Sequence, residues 1–243
     1  MKYNHEEFTE TSIWKSVKSS CDYAVAHHEP VFVFGASQIG KTWSLLEYEH
    51  RAKTGSIVYV RVPASPSFAS FVRALSDSCG KSASGAMARE HIFNRFSGGN
   101  DLLIVDEMHT AFIAGRHLTG VRIAEFIREI HDRTGIGVVY SGTQIMMNAF
   151  SSDMILEQTI RRGIVKCRLP DMPPKMDVAL FAAAAGLPDP DKESADIIAR
   201  VLAQSGIGQI RSLLRAAANF AKNKNERLEW KHFRAAYDVI TNH

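Results

Sequence analysis

The sequence predicts an α/β protein with a five-stranded parallel sheet flanked by helices, followed by a small all-helical domain. Two observations carry this prediction. Through residue 170, short apolar runs rich in β-branched and aromatic residues alternate with segments that have apolar residues at three- and four-residue spacing. Such alternation indicates βαβ units, which build parallel sheets. After Pro170 the helical spacing continues and no strand pattern returns.

The first strand, Val31 to Gly35, is apolar throughout, as expected for a strand buried on both faces of a parallel sheet. The other strands are predicted at 57–63, 101–107, 135–142 and 164–170. Helices are predicted at 41–53, 67–78, 87–96, 118–133, 175–185, 192–204, 208–222 and 230–241. We therefore expect one domain at 1–170, with a helical extension at 1–29, and a second domain at 171–243.

Composition excludes several protein classes. With 243 residues, 45% of them hydrophobic and 23% charged, the chain is not disordered or of low complexity. No stretch approaches the roughly 18 consecutive apolar residues of a membrane helix, and the polar, acidic N-terminus does not resemble a secretion signal. We expect a cytoplasmic protein without a membrane partner. Three cysteines without a CxxC pair fit neither a disulfide framework nor a zinc site.

Positive charge is concentrated in the last third of the sequence. The net charge is +3, but residues 160–243 carry 14 Lys and Arg against 9 Asp and Glu. Such a bias is typical of proteins with an anionic partner such as nucleic acid, and a solvated helical face gives the same count. Charge alone therefore leaves both interpretations open.

A phosphate-binding loop follows the first strand and opens a helix, which is the context that the pattern GxxxxGK[ST] requires. Glycines let backbone N–H groups surround phosphate oxygens, the helix N-terminus adds positive potential, Lys41 reaches the β- and γ-phosphates, and the Thr42 hydroxyl binds Mg²⁺. The predicted nucleotide-binding residues are Gly35, Ala36, Ser37, Gln38, Ile39, Gly40, Lys41, Thr42 and Trp43.

The third predicted strand ends in two carboxylates, Asp106 and Glu107, at the edge of the sheet where ligands bind in open α/β folds. Asp106 is predicted to hold Mg²⁺. Glu107 is predicted to orient and deprotonate the water that attacks the γ-phosphate. The pair therefore predicts ATP hydrolysis rather than nucleotide binding alone.

Further polar residues stand where they can reach a nucleotide. Ser141, Thr143 and Gln144 end the fourth strand, and we favour Thr143 as the γ-phosphate sensor; turn chemistry is the alternative. Arg161 and Arg162 close a helix before the fifth strand, so one of them can stabilise charge on a neighbouring subunit's nucleotide, or both complete a helix C-terminus.

The chain resembles an AAA+ ATPase over nearly its whole length. The resemblance lies in five features and their order: the P-loop, the Asp-Glu strand end, the polar end of the fourth strand, the arginines, and the GxxR of Gly208 to Arg211. The stretches VFVFGASQIGKT, LLIVDEMHT and GIGQIRSLLRAAANFA are similar to those of the target-selector ATPases of DNA transposition, the group of phage Mu transposition protein B, TniB and TnsC.

The resemblance implies ATP with Mg²⁺, self-assembly as a filament or ring on double-stranded DNA, and recruitment of a transposase. It implies a sensor role for Thr143, an arginine finger at Arg161 or Arg162, and a second sensor at Arg211. Its DNA contacts fall after the second strand, where this chain has Arg73, Lys81 and Ser84. These would contact phosphates rather than bases, so binding would be nearly independent of sequence and strongly dependent on salt.

Two departures and two alternatives accompany the resemblance. Only about 30 residues precede the first strand, so a separate N-terminal DNA-binding domain is not implied. Met108 and His109 stand where many relatives have Ala and Asp; His109 either responds to nucleotide or pH, or caps the next turn. The alternative functions are a nucleotide-switch signalling ATPase that does not bind DNA and a helicase-loader-like adaptor.

Overall fold

A computed structural model describes residues 8–52, 57–98, 101–113, 117–163 and 165–241 of the chain. The strands are β1 Pro30–Phe34, β2 Ile57–Arg61, β3 Leu102–Asp106, β4 Gly137–Gly142 and β5 Val165–Arg168. The helices are α1 Ser12–His27, α2 Lys41–Arg51, α3 Phe68–Ser78, α4 Gly85–Phe96, α5 His117–Thr134, α6 Gln144–Ser152, α7 Met154–Arg162, α8 Lys175–Ala184, α9 Lys192–Ser205, α10 Ile207–Asn223 and α11 Trp230–Thr241. A short 3-10 helix, Met108–Phe112, follows β3.

The sheet has five strands in the order β2-β3-β4-β1-β5, and every pairing is parallel. All residues of β1, β3 and β4 are buried, which explains their unbroken apolar sequences. The predicted α/β class and five-stranded parallel sheet with a helical C-terminal part are therefore confirmed.

The sequence did not predict the 3-10 helix or α6. Both are short and directly follow a strand, so neither repeats an apolar spacing often enough to be recognised. Within the predicted extension at 1–29, α1 begins at Ser12, and residues 1–7 lie outside the described part of the chain.

The chain divides into two compact units. Among the described residues, the first unit comprises those of 16–35 and 41–169, which contain the whole sheet. An aromatic group around Phe32 contributes to its core: Tyr140 stacks on Phe32 with centroids 5.2 Å apart, and Phe150 meets Phe32 edge-on at 5.3 Å. Such pairs stabilise a core by about 0.5–1.5 kcal/mol beyond the area they bury.

The second unit comprises 8–15, 36–40 and 170–241 among the described residues. Its core contains Leu213 of α10 and Phe233 of α11, both almost completely buried. The buried carboxylate of Asp177 in α8 accepts two hydrogen bonds from Ser12, one from the backbone N–H at 2.8 Å and one from the hydroxyl at 2.7 Å. This pairing satisfies a charge that would otherwise be costly to bury.

Helix α10 of the second unit begins against the phosphate-binding loop. Its N-cap Gly206 has φ 72° and ψ −174°, a conformation that is open in practice only to glycine. A Cβ at this position would lie 3.0 Å from the carbonyl oxygen of Gln38. The first turn of α10 and the loop are therefore in van der Waals contact.

None of the helices in the described ranges has the length and apolarity needed to cross a membrane.

Gly137→Ala should destabilise the first unit. A Cβ on Gly137 would overlap the backbone carbonyl of Ala24 in α1, which cannot rotate away as a side chain can. We expect the free energy of unfolding to fall by about 2 kcal/mol or more, measured by urea denaturation. The control is Gly98→Ala, where none of the described residues has an atom within 4 Å of the added Cβ. An equal loss in both variants would contradict the steric explanation.

Candidate active site

The carboxyl ends of β1, β3 and β4 lie side by side at one edge of the sheet, because β4 pairs with both β1 and β3. Gly35 follows β1, and its N–H donates to the carbonyl of Gly142 at 3.3 Å. Asp106 ends β3, and Glu107 follows it. The polar end of β4 therefore lies beside the phosphate-binding loop and the two carboxylates.

The phosphate-binding loop contains two residues with left-handed backbone geometry. Gln38 has φ 59° and Gly40 has φ 105°. Left-handed residues in sequence turn successive N–H groups toward one side, which is how such loops surround an anion. Between them Ile39 is buried, whereas Ser37 and Gln38 are exposed and Ala36 is half-buried.

Lys41 begins α2 and is only 6% exposed. Its Nζ donates a hydrogen bond to the carbonyl of Gly35 at 3.0 Å. Burial lowers the pKa of Lys41, while the negative charges of Asp106 and Glu107 oppose that shift. A buried ammonium group beside two carboxylates provides the positive charge that a polyphosphate requires.

Asp106 is fully buried and is the acceptor for three hydroxyl groups of the described residues. Thr42 Oγ1 and Tyr59 Oη donate to Oδ2 at 2.6 and 2.9 Å, and Ser141 Oγ donates to Oδ1 at 2.7 Å. Burial, followed by the charge of Asp106 and the hydrogen bond to it, raises the pKa of Tyr59, so this hydroxyl stays protonated and donates. The network fixes the orientation of the carboxylate.

The sequence did not identify Tyr59 as a site residue. Its hydroxyl reaches Asp106 because β2 pairs with β3 in a register that places Arg61 opposite Asp106. Tyr59 and Arg61 therefore point from the same face of β2 toward the end of β3. The signal in the sequence was the polar side chains of Tyr59 and Arg61, two residues apart in the second strand. It could not be interpreted without knowing that this strand pairs with β3.

Glu107 lies between two cationic or potentially cationic side chains. Its backbone has φ 58° and ψ 32°, a left-handed conformation that is uncommon outside glycine. Its Oε1 is 3.9 Å from Arg61 Nη2, and its Oε2 is 3.4 Å from His109 Nε2. Burial lowers the pKa of His109, Glu107 acts in the opposite direction, and Lys41 lowers that pKa further.

The polar residues at the end of β4 have separate surroundings. Ser141 belongs to the Asp106 network described above. Thr143 is the N-cap of α6, its side chain makes no cap hydrogen bond, and its Oγ1 is buried without a partner among the described residues. Gln144 is exposed and donates from Nε2 to Asn148 at 3.0 Å. The sensor role of Thr143 stays a prediction, and its unpaired hydroxyl is compatible with a ligand.

These residues fit a magnesium nucleotide. Mg²⁺ prefers oxygen ligands and commonly takes one or two from protein, with the rest from phosphates and water. Thr42 and Asp106 bring two such oxygen-bearing groups within 2.6 Å of each other. The loop N–H groups, Lys41 and the unpaired Thr143 hydroxyl supply donors for phosphate oxygens.

The remaining predicted nucleotide contacts are placed as follows. Trp43 is half-buried in the first turn of α2. Arg161 is the last residue but one of α7, with its side chain 74% exposed and paired with Glu157 at 2.7 Å. Arg162 follows it, and its side chain lies outside the described residues. Arg211 is half-buried in the second turn of α10, one turn after Gly206. Their roles stay predictions.

The three predicted DNA contacts line one groove between α3 and α4. Arg73 of α3 and Lys81 and Ser84 of the connecting loop are all exposed, and they border an open groove of about 650 Å³. The loop is held to α3 by Ser76, which accepts from Lys81 N–H at 3.2 Å and donates from its hydroxyl to the Lys81 carbonyl at 2.6 Å. The structure thus places the three residues of this segment along one groove, and their role in DNA binding stays a prediction.

Comparisons with known proteins agree with this architecture. The family model described as "AAA domain" matches residues 25–149, more than half of the chain. No curated protein sequence matches the chain. Among solved structures, domain III of the Thermotoga maritima replication initiation protein DnaA is similar, with a TM-score of 0.64 and 16% identity, covering 96% of this chain and 95% of that one.

Two further solved structures are similar in fold. A Walker-type ATPase of Pyrococcus abyssi has a TM-score of 0.65 and 10% identity, covering 99% of this chain and 75% of that chain. AMPPCP-bound DnaA from Aquifex aeolicus has a TM-score of 0.58 and 16% identity, covering 91% of this chain and 65% of that chain. At these identities the likeness shows the fold alone.

Lys41→Ala should abolish most of the nucleotide affinity. Removing the buried ammonium group leaves phosphate charge unpaired, so we expect the Kd for MgATP to rise by about 100-fold or more, measured by fluorescent-nucleotide titration. The control is Lys18→Ala, because Lys18 is an exposed lysine that pairs with Asp22 in α1. Unchanged affinity in a folded Lys41→Ala protein would overturn the assignment of this loop.

Proposed function

The chain belongs to the AAA domain family, and we propose that it is a Mg²⁺-dependent ATPase that assembles on double-stranded DNA. One observation carries the proposal: buried Lys41, the Thr42–Asp106 pair and Glu107 converge at the carboxyl edge of a parallel sheet. This set supplies a phosphate-binding cation, oxygen ligands for a metal ion and a carboxylate base.

Each of these residues has a distinct role in hydrolysis. Lys41 and the loop N–H groups bind the phosphates, and Thr42 and Asp106 hold Mg²⁺, which neutralises phosphate charge when it is bound. Glu107 orients the attacking water and accepts its proton. The hydroxyls of Tyr59 and Ser141 keep Asp106 in one orientation, so the metal-binding oxygens are fixed before substrate binds.

Glu107→Gln should separate binding from turnover. Glutamine keeps the size and polarity of Glu107 but does not accept a proton, so kcat should fall by about 100-fold or more while the Kd for MgATP stays within about threefold. Phosphate release and nucleotide titration measure the two quantities. The control is Glu193→Gln, an exposed glutamate of α9. Full turnover in Glu107→Gln would assign the base to another residue.

The groove between α3 and α4 supports the DNA part of the proposal. Arg73 and Lys81 place two positive charges along it, and Ser84 adds a hydroxyl donor. Among the described residues that line it, Glu90 is the single acidic one. Exposed Lys and Arg side chains on a surface of this kind bind phosphates without reading bases. The hydrogen bonds between Ser76 and Lys81 hold the loop in place, which limits the entropy lost on binding.

Changing Arg73 and Lys81 together to Ala should weaken binding to all duplex sequences alike. If each contacts one phosphate, the slope of log K against log salt concentration should flatten by about 2. Fluorescence anisotropy between low and moderate salt measures the slope. The control, Lys175→Ala with Lys192→Ala, removes the same charge from exposed positions on α8 and α9. Equal slopes for the two double variants would exclude Arg73 and Lys81 as phosphate contacts.

The finer part of the proposal is target selection in DNA transposition, with a transposase as partner. It is supported by the resemblance of the P-loop, Asp-Glu and GxxR stretches to the target-selector group. It is also supported by Arg161, whose side chain near the end of α7 is 74% exposed, as a contact with a neighbouring subunit's nucleotide requires. ATP between subunits would then favour assembly, and hydrolysis would favour release.

Negative-stain microscopy of the Glu107→Gln protein with duplex DNA tests the assembly. Filaments or rings that form with ATP and not with ADP would support the proposal, and a pull-down with a purified transposase would then test the partner. Assemblies that form on single strands alone would favour a helicase-loader-like adaptor. Dispersed particles in both nucleotides, despite ATP binding, would favour a nucleotide switch that does not act on DNA.

A further inference from the structure

The carboxylate of Glu107 needs a second group to hold it in place. Its backbone is left-handed and its side chain is 26% exposed, so the chain itself does not fix the carboxylate direction. Arg61, on one side, is 3.9 Å away with a 62% exposed side chain, and such exposed ion pairs are weak. On the other side lies the His109 ring.

His109 is built into the site more firmly than Arg61. It lies in the 3-10 helix after β3, where Met108, Ala111 and Phe112 are buried and anchor the backbone. Its side chain is 13% exposed, and Nε2 is 3.4 Å from Glu107 Oε2. That separation is slightly longer than a hydrogen bond, and contacts of this kind commonly tighten when substrate binds.

Within the described part of the chain, the ring nitrogens of His109 make no capping hydrogen bond. Two other histidines show that role: His131 Nδ1 is 2.8 Å from the carbonyl of Ile136, and His91 Nε2 is 3.2 Å from the carbonyl of Cys79. Among the described residues, His109 Nδ1 is buried without any partner. The structure therefore gives no hydrogen bond for the interpretation that His109 caps the next turn.

The unpaired Nδ1 has a counterpart on the neighbouring segment. A Cβ on Gly142 would lie 3.3 Å from the backbone nitrogen of His109, so the 3-10 helix packs directly against the end of β4. Thr143, the next residue, also has a buried oxygen without a partner among the described residues. Buried polar atoms are normally paired, and two that are unpaired in adjoining segments indicate a place that a ligand or water completes.

We propose that His109 is a positioning residue for the ATPase reaction, which directs the Glu107 carboxylate toward the attacking water by donating a hydrogen bond from Nε2. This inference rests on the proposed hydrolysis. A neutral imidazole donates from one nitrogen only, so Nδ1 remains an acceptor. Glu107 stays the group that takes the proton, and His109 acts through it.

Three substitutions distinguish the effect of each ring nitrogen from the effect of the ring's volume. In His109→Gln the amide nitrogen falls near the position of Nε2, in His109→Asn it falls near Nδ1, and His109→Phe keeps a ring without nitrogen. We expect kcat to fall by about 10-fold or more in the Phe and Asn variants and to recover to within about threefold in the Gln variant. The Kd for MgATP should stay within about twofold in all three.

Thermal unfolding identifies the variants that fold. If His109→Phe does not fold, the comparison of His109→Gln with His109→Asn tests the proposal. His27→Gln, at an exposed position at the end of α1, is the control for the substitution itself. Full turnover in His109→Asn, or equal losses in Gln and Asn, would overturn the positioning role. Absent turnover in the unsubstituted protein would instead overturn the proposed ATPase activity, and this inference with it.

Discussion

The hydrogen bonds to the buried carboxylate of Asp106 are the interactions on which the carboxyl edge of the sheet depends. A charge without access to water requires hydrogen-bond donors, and Asp106 receives them from Thr42, Tyr59 and Ser141. These donors come from α2, β2 and β4, so one side chain joins the helix after the phosphate-binding loop to the strands on both sides of β3. The sheet order and the orientation of the Asp106 carboxylate are thus parts of one arrangement.

The sequence predicted the features that depend on contiguous residues. It missed those that depend on how the strands pair. The P-loop and the Asp106–Glu107 pair are contiguous patterns, so their residues could be named before the fold was known. Tyr59 could not, because its contact with Asp106 arises from the register of β2 on β3. Ser141 and Thr143 stand two residues apart but have different surroundings, because β4 ends at Gly142 between them. Ser141 belongs to the strand and faces Asp106, whereas Thr143 is the N-cap of α6.

The site stores backbone strain on both of its sides. Gln38 and Glu107 are non-glycine residues in the left-handed region, one in the phosphate-binding loop and the other next to Asp106. Such residues persist only where surrounding packing determines them, and at Glu107 that packing is the buried 3-10 helix. The same helix carries His109, so the feature that imposes the strain also supplies the group that faces the strained residue's side chain.

The glycine at the start of α10 ties the phosphate-binding loop to the stability of the helical unit. Because Gly206 lies against the Gln38 carbonyl, residues 36–40 are part of the packing of that unit. A ligand that binds the folded loop and not the unfolded chain therefore stabilises the unit by mass action. Under the proposed function, a bound nucleotide would thereby act as a folding ligand for residues 36–40 and the helical unit that they belong to.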